Sequence, residues 1–346
     1  MTRIELRSDT FTLPTEEMRR AMYEAEVGDD VWGEDPTVAR LEALAATIIG
    51  KEAALFVPSG TMGNLLAVMT HCHRGDEVVM ESECHIYYYE AGGMSAVAGV
   101  IPRLVKGKNG VLDPDDVRRA IREPNIHYAP PTLLTLENTH NRGGGTVTDL
   151  GTMAALASVA RERGMKVHMD GARVFHAAHY LKVPVTQITK HVDSVMFCLS
   201  KGLSAPVGSM LAGDAEFVER ARRNRKMLGG GMRQAGVLAA AGIVALEKMV
   251  DRLVEDHATA RCLAEGLSQI DGVAVDMDTV QTNIVSFDIA GLGMTASEFA
   301  RAMAERGVMF STRPPYGIRA VTHRHVTMAD IHRALEAVRE LAAQPR

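Results

Sequence analysis

Helix-like and strand-like segments alternate from about residue 36 onward, a pattern that leaves few architectures other than a largely parallel sheet with helices on both faces. Pro36 to Ile49 reads as a helix. Asp35 stands as its cap, proline occupies the first turn, and Gly50 follows the apolar run as a stop signal. Ala54 to Val57 is a short strand, and the apolar runs at Glu77 to Met80, Leu133 to Leu136, Lys166 to Met169 and Val195 to Leu199 have the length of buried strands. A helical pattern at Asp149 to Arg163 separates two of them. Near residue 250 the character changes. A polar-faced helix (Asp251 to Ser268) is followed by short strands at Val273 to Asp276 and Asn283 to Asp288, a helix at Ala296 to Arg306, two more short strands and a last helix from Met328 to Ala343. The chain of 346 residues is long enough for a large α/β domain (1–250) and a smaller C-terminal α+β domain (251–346).

The charge balance narrows the partners. With 38 basic and 43 acidic residues, a net charge of -5 and no long basic block, neither nucleic acid nor an anionic membrane is expected. A small molecule fits better. The four cysteines, Cys72, Cys84, Cys198 and Cys262, are far apart without a C-x-x-C pair, so they read as reduced, mostly buried thiols, and no metal site is expected. His71-Cys72-His73 supplies too few well-spaced ligands for zinc and reads as a helix end. The first residues carry no apolar leader and no run of about 18 apolar residues occurs, which points to the cytoplasm.

Three strand ends carry chemistry-bearing residues. In Cys198-Leu199-Ser200-Lys201-Gly202 a lysine follows an apolar strand, where ligands of open α/β sheets bind and where desolvation makes an amine a Schiff-base nucleophile. Taken alone, the pentapeptide reads more readily as a solvated lysine at a strand end. In His168-Met169-Asp170-Gly171-Ala172-Arg173 an acid ends another strand. Pyridoxal 5'-phosphate (PLP) needs such a carboxylate against its pyridine nitrogen, because only the protonated ring withdraws electrons well. Asp-Gly by itself is a turn dipeptide; its order and distance before Lys201 give it weight. In Val57-Pro58-Ser59-Gly60-Thr61-Met62-Gly63-Asn64 a strand turns into a helix whose free N–H groups suit a phosphate, with Gly60 and Thr61 as ligands. The segment lacks the spacing of a nucleotide-binding glycine fingerprint, so a nicotinamide oxidoreductase is disfavoured. Gly229-Gly230-Gly231-Met232-Arg233-Gln234 reads as a flexible loop delivering Arg233 to a phosphate, or as a surface loop. His85, His127 and His140 titrate near neutrality and are acid–base candidates, with His140 read as structural.

Asp170-Gly-Ala-Arg173 followed by Leu199-Ser-Lys-Gly202 resembles the L-threonine aldolase family, of the low-specificity type, among fold-type I PLP-dependent enzymes. Leu6-Arg-Ser-Asp-Thr10, Val27-Gly-Asp-Asp-Val31, Gly60-Thr-Met-Gly-Asn64, Glu90-Ala-Gly-Gly93, Leu136-Glu-Asn-Thr-His-Asn141 and Gly229-Gly-Gly-Met-Arg-Gln234 agree in order, so the resemblance covers residues 4 to about 325. It implies an aspartate aminotransferase-like α/β fold with a mainly parallel seven-stranded sheet. It also implies Lys201 as the lysine joined to PLP, Asp170 against the ring nitrogen, His85 stacked on the ring, and Gly60 and Thr61 on the phosphate. Arg233 would reach that phosphate from a neighbouring subunit of a homo-oligomer, a tetramer built as a dimer of dimers. Ser8, Arg173 and Arg319 would clamp the carboxylate of an amino-acid substrate, as an arginine fork does. His85 or His127 would take the β-hydroxyl proton of a substrate that is cleaved to glycine and an aldehyde.

Some positions depart from the family. Trp32 stands where tyrosine is usual, Pro130-Pro131 replaces a polar stretch, and Arg313 precedes Arg319 as an alternative clamp. The same scaffold also admits cleavage of aryl β-hydroxy amino acids, β-elimination, or PLP binding without turnover.

Overall fold

The computed structural model describes residues 3–344. A seven-stranded sheet forms its centre, in the order Ala53–Val57, Ser209–Gly213, Ser194–Cys198, Lys166–Asp170, Pro131–Glu137, Glu77–Glu81 and Ile101–Val105. Ser209–Gly213 runs antiparallel to both neighbours and the rest are parallel. The inner strands are buried on both faces, which explains why they read as unbroken apolar runs rather than alternating ones. Helices Pro36–Ile49 and Leu150–Glu162 keep the starts that the sequence specifies: Asp35 and Asp149 each accept two first-turn N–H groups. Helix Gly60–His71 ends at the His71-Cys72-His73 segment, as read from the sequence.

A second core is built on a four-stranded antiparallel sheet, Ser311–Arg313, Gly317–Val321, Ile284–Asp288 and Ala274–Val275. Helices Leu253–Leu267, Ala296–Glu305 and Met328–Ala342 pack on it around Phe287, Phe299 and Phe310, whose rings lie 5.7–6.0 Å apart. The chain's first strand belongs here. Ile4–Glu5 pairs in parallel with Val308–Met309, and Ile4 and Leu6 are buried in this second core, although position in the sequence groups them with residues 1–250. The segment that follows, Ser8 to Thr12, therefore runs between the two cores. No helix among the described residues is long and apolar enough to cross a membrane.

Candidate active site

Parallel strands with crossover helices bring their carboxyl ends to one edge of the sheet, and the candidate residues gather there. Asp170 ends one strand, with Glu137 as its register partner on the next. Lys201 follows Cys198 by three residues, and His85 follows Glu81 by four. Ser8, Thr10, His85, Arg173, Lys201 and Arg319 all line one cavity of about 370 Å³, which Tyr89, Asn141 and Arg313 also border.

Asp170 is buried and fixed. Its carboxylate accepts from Asn64 Nδ2 at 3.0 Å and from the Ala172 N–H at 3.1 Å. Asn64 also donates to Glu90 Oε1 at 2.8 Å, and Glu90 holds His85 Nδ1 at the same distance. Ligand-capable atoms of His85, Glu90 and Asp170 thus lie within 4.8 Å of one another, already joined by hydrogen bonds through Asn64. Burial opposes a charge on His85, but the Glu90 hydrogen bond and the Asp170 charge leave its proton affinity raised above that of an ordinary imidazole. Burial raises the Glu90 carboxyl as well.

One side of the cavity is cationic. Arg173 donates from Nε and Nη2 to Asp9, both at 2.7 Å, a bidentate pair buried from solvent. Arg319 donates to the Arg7 carbonyl at 3.2 Å and to Asn141 Oδ1 at 2.9 Å, while its buried Nε has no partner. Burial and then the nearby Arg173 charge push Arg319 down to about 9. A carboxylate entering the cavity would satisfy the free donor and reverse that shift. Glu137 ties the two sides together, because its oxygens accept the backbone N–H groups of His85 at 2.6 Å and Asn141 at 2.7 Å.

Helix Gly60–His71 supplies an anion-ready terminus. Ser59 accepts the N–H groups of Met62 through its hydroxyl and Gly63 through its carbonyl, and helix geometry leaves those of Gly60 and Thr61 without intrahelical acceptors. A Cβ at Gly60 would lie 3.0 Å from Cys198 Sγ and 3.1 Å from the Met196 methyl, so glycine lets this turn sit close to the sheet without displacing those side chains. An amine at one strand end, a buried acid at the next and the N–H groups of a helix start are groups that could hold a cofactor bearing a carbonyl, a ring nitrogen and a phosphate.

Other sequence expectations land elsewhere. His127 lies in an exposed segment away from this cavity, its N–H bonded to Asn125 Oδ1. Pro130 and Pro131, which depart from the family pattern, line a separate cavity of about 530 Å³ with Tyr128. Trp32 is 76% exposed and does not border the site within this chain. Arg233 is exposed and pairs with Asp29 at 2.9 Å. His140 is buried between Glu81 (3.0 Å) and Glu137 (3.7 Å), a structural ion pair as its sequence reading has it. Asn64, Asn141 and the role of Asp9 were not singled out from sequence. Their segments belong to the family motifs, but only the fold shows which side chains turn inward.

The seven-stranded architecture is that of fold-type I PLP-dependent enzymes: the solved Leishmania major threonine aldolase matches with a TM-score of 0.85 over 98% of this chain and 100% of that one, at 19% identity. Residues 5–290 match the beta-eliminating lyase family. Low-specificity L-threonine aldolase 1 of Arabidopsis thaliana is 46% identical over 98% of this chain and 96% of its own length. The low specificity L-threonine aldolase of Escherichia coli K12 is 42% identical over 94% and 95%. The chain belongs to the low-specificity L-threonine aldolase family, within the beta-eliminating lyases.

Proposed function

We propose that this protein is a PLP-dependent aldehyde-lyase that cleaves L-threonine and L-allo-threonine reversibly to glycine and acetaldehyde. The observation that carries the reading is one cavity joining Lys201 and His85 to two arginines suited to a carboxylate. Lys201 would hold PLP covalently, with Asp170 at its ring nitrogen, His85 against the ring, and the Gly60 and Thr61 N–H groups on its phosphate. When bound, PLP supplies a protonated ring able to accept the electron pair of the broken Cα–Cβ bond. Arg319, Arg173 and Ser8 bind the substrate carboxylate and so orient that bond for cleavage. The β-hydroxyl proton passes to a histidine. His85 suits this because Glu90 fixes its Nδ1 and raises its basicity. The proposal also places the protein in the cytoplasm as a homo-oligomer, with Arg233 serving a neighbouring subunit.

Adding threonine to the purified holoenzyme should alter its visible absorption and release acetaldehyde and glycine in equal amounts. Benzaldehyde from phenylserine or a 2-oxo acid from threonine, without acetaldehyde, would replace the reading with aryl-substrate cleavage or β-elimination.

A histidine base must be neutral to act, so a raised His85 pKa predicts that kcat climbs with pH on a limb above the ordinary imidazole value of about 6.5. His85→Asn should remove that limb and lower kcat by about 10²- to 10⁴-fold. Loss of the limb in His127→Asn instead would assign the base to His127, and unchanged profiles in both would take histidine out of the step.

A further inference from the structure

Ser311 pairs with Arg319 across the antiparallel register, and Arg313 lies two residues beyond Ser311. Side-chain alternation therefore puts Arg313 and Arg319 on the same face of this ribbon as diagonal neighbours. Both border the cavity of Lys201. Arg319 is held by the Arg7 carbonyl and the Asn141 amide oxygen. Arg313 is held by the carbonyls of Arg142 at 2.9 Å and Asn141 at 3.1 Å, with the Ser286 hydroxyl at 3.4 Å. Every one of these partners is neutral. The neighbouring cations differ in this respect, since Arg173 is matched by Asp9 and Arg142 by Glu83. Burial disfavours the charge on both Arg313 and Arg319. Among the described residues, then, two guanidiniums border one cavity without a carboxylate at ion-pair distance, whereas threonine brings a single carboxylate.

We propose that the site also takes β-hydroxy amino diacids of the 3-hydroxyaspartate type, with Arg319 on the α-carboxylate and Arg313 on the carboxylate carried by Cβ. The proposal rests on the retro-aldol reading above and extends it to a second substrate class. Its chemistry balances without a co-reactant. The Cα–Cβ bond breaks, the β-hydroxyl loses its proton and becomes the carbonyl of glyoxylate, and Cα keeps the electron pair and takes up one proton to give glycine. The neutral threonine methyl gains nothing from Arg313, so this arginine discriminates between side chains rather than supporting cleavage itself.

The holoenzyme should be assayed with each 3-hydroxyaspartate diastereomer for glyoxylate, glycine and oxaloacetate, beside acetaldehyde release from threonine. Glyoxylate and glycine are expected in equal amounts from at least one diastereomer. Arg313→Gln should lower the ratio of kcat/KM for hydroxyaspartate over threonine by about 10- to 100-fold, the effect of losing one charge-assisted contact, and Arg313→Lys should retain part of that ratio. Calorimetry of the holoenzyme should show L-aspartate, which has no β-hydroxyl to cleave, binding more tightly than L-2-aminobutyrate, with the preference lost in Arg313→Gln. Absence of glyoxylate, oxaloacetate in its place, or an equal fall on both substrates in Arg313→Gln overturns the proposal. If threonine is not cleaved either, the lyase assignment fails, and the aspartate preference still decides whether Arg313 holds a second carboxylate.

Discussion

Lys201→Ala is expected to abolish the visible absorption band of lysine-bound PLP and to lower acetaldehyde release by about 10³-fold or more, with little change in thermal stability. The selectivity follows from the surroundings of Lys201. Its backbone is anchored, since its carbonyl accepts the Thr12 hydroxyl at 2.8 Å and Leu199, Gly202 and Leu203 around it pack inward. No carboxylate lies within ion-pair distance of its amine among the described residues, so removing the amine leaves no buried charge behind. The same amine borders the cavity and is the only primary amine among the described residues that line it, the group able to form an imine with a carbonyl. Spectra and acetaldehyde assays on parent and variant, with melting curves for both, check the prediction. A variant that keeps both the band and turnover would show that another group carries the cofactor.

Asp9→Asn should destabilise the fold by about 3–5 kcal/mol because it leaves the buried Arg173 guanidinium without its counter-charge. Asp9 is fully buried, with Arg173 across both carboxylate oxygens and Asn283 Nδ2 at 3.3 Å. Burial alone would raise this carboxyl. The Arg173 charge and hydrogen bonds outweigh it and hold the group far below the ordinary carboxylate range. A depressed folded-state pKa stabilises the fold fully above the unfolded value of about 3.9, and that contribution is lost as pH falls below it. Parent and variant should therefore differ by the full amount at pH 7, and the gap should begin to narrow only below about pH 4. Denaturant titrations at pH 7 and pH 3.5 measure this, and equal midpoints at pH 7 would refute it. Because Arg173 also borders the substrate cavity, KM for threonine should rise in the same variant.

Much of this architecture is legible in the sequence wherever local signals and tertiary packing agree. Pro36–Ile49 matches its expected limits because cap, first-turn proline and terminal glycine all act within the segment itself. The strands ending near Lys201 and Asp170 are recognisable because burial on both faces favours apolar residues such as Val167, Met169, Val195, Met196 and Phe197. Two strands of the same sheet escaped that reading. Ile101–Val105 is an edge strand that carries Pro102 and Arg103 and stays partly exposed, as edge positions allow. Ser209–Gly213 is fully buried but built partly from small residues, so its run is weakly apolar. At the site, Lys201 and Asp170 announce themselves through type and position after strands. Asn64 and Asn141 do not, since an amide says nothing until its long-range partners are known. His127 shows the reverse case: a residue type suited to the chemistry, held by its own chain outside the cavity.

The pairing of Ile4–Glu5 with Val308–Met309 sets a timetable for biogenesis. Ser8 and Asp9 are synthesised some three hundred residues before the strand that anchors their segment. Closing so long a loop adds little free energy per extra residue, but it delays the contact until nearly all of the chain is available. The parallel sheet can assemble earlier, with the position beside Arg173 still vacant. A nascent chain would then acquire its scaffold before Asp9 is fixed beside Arg173.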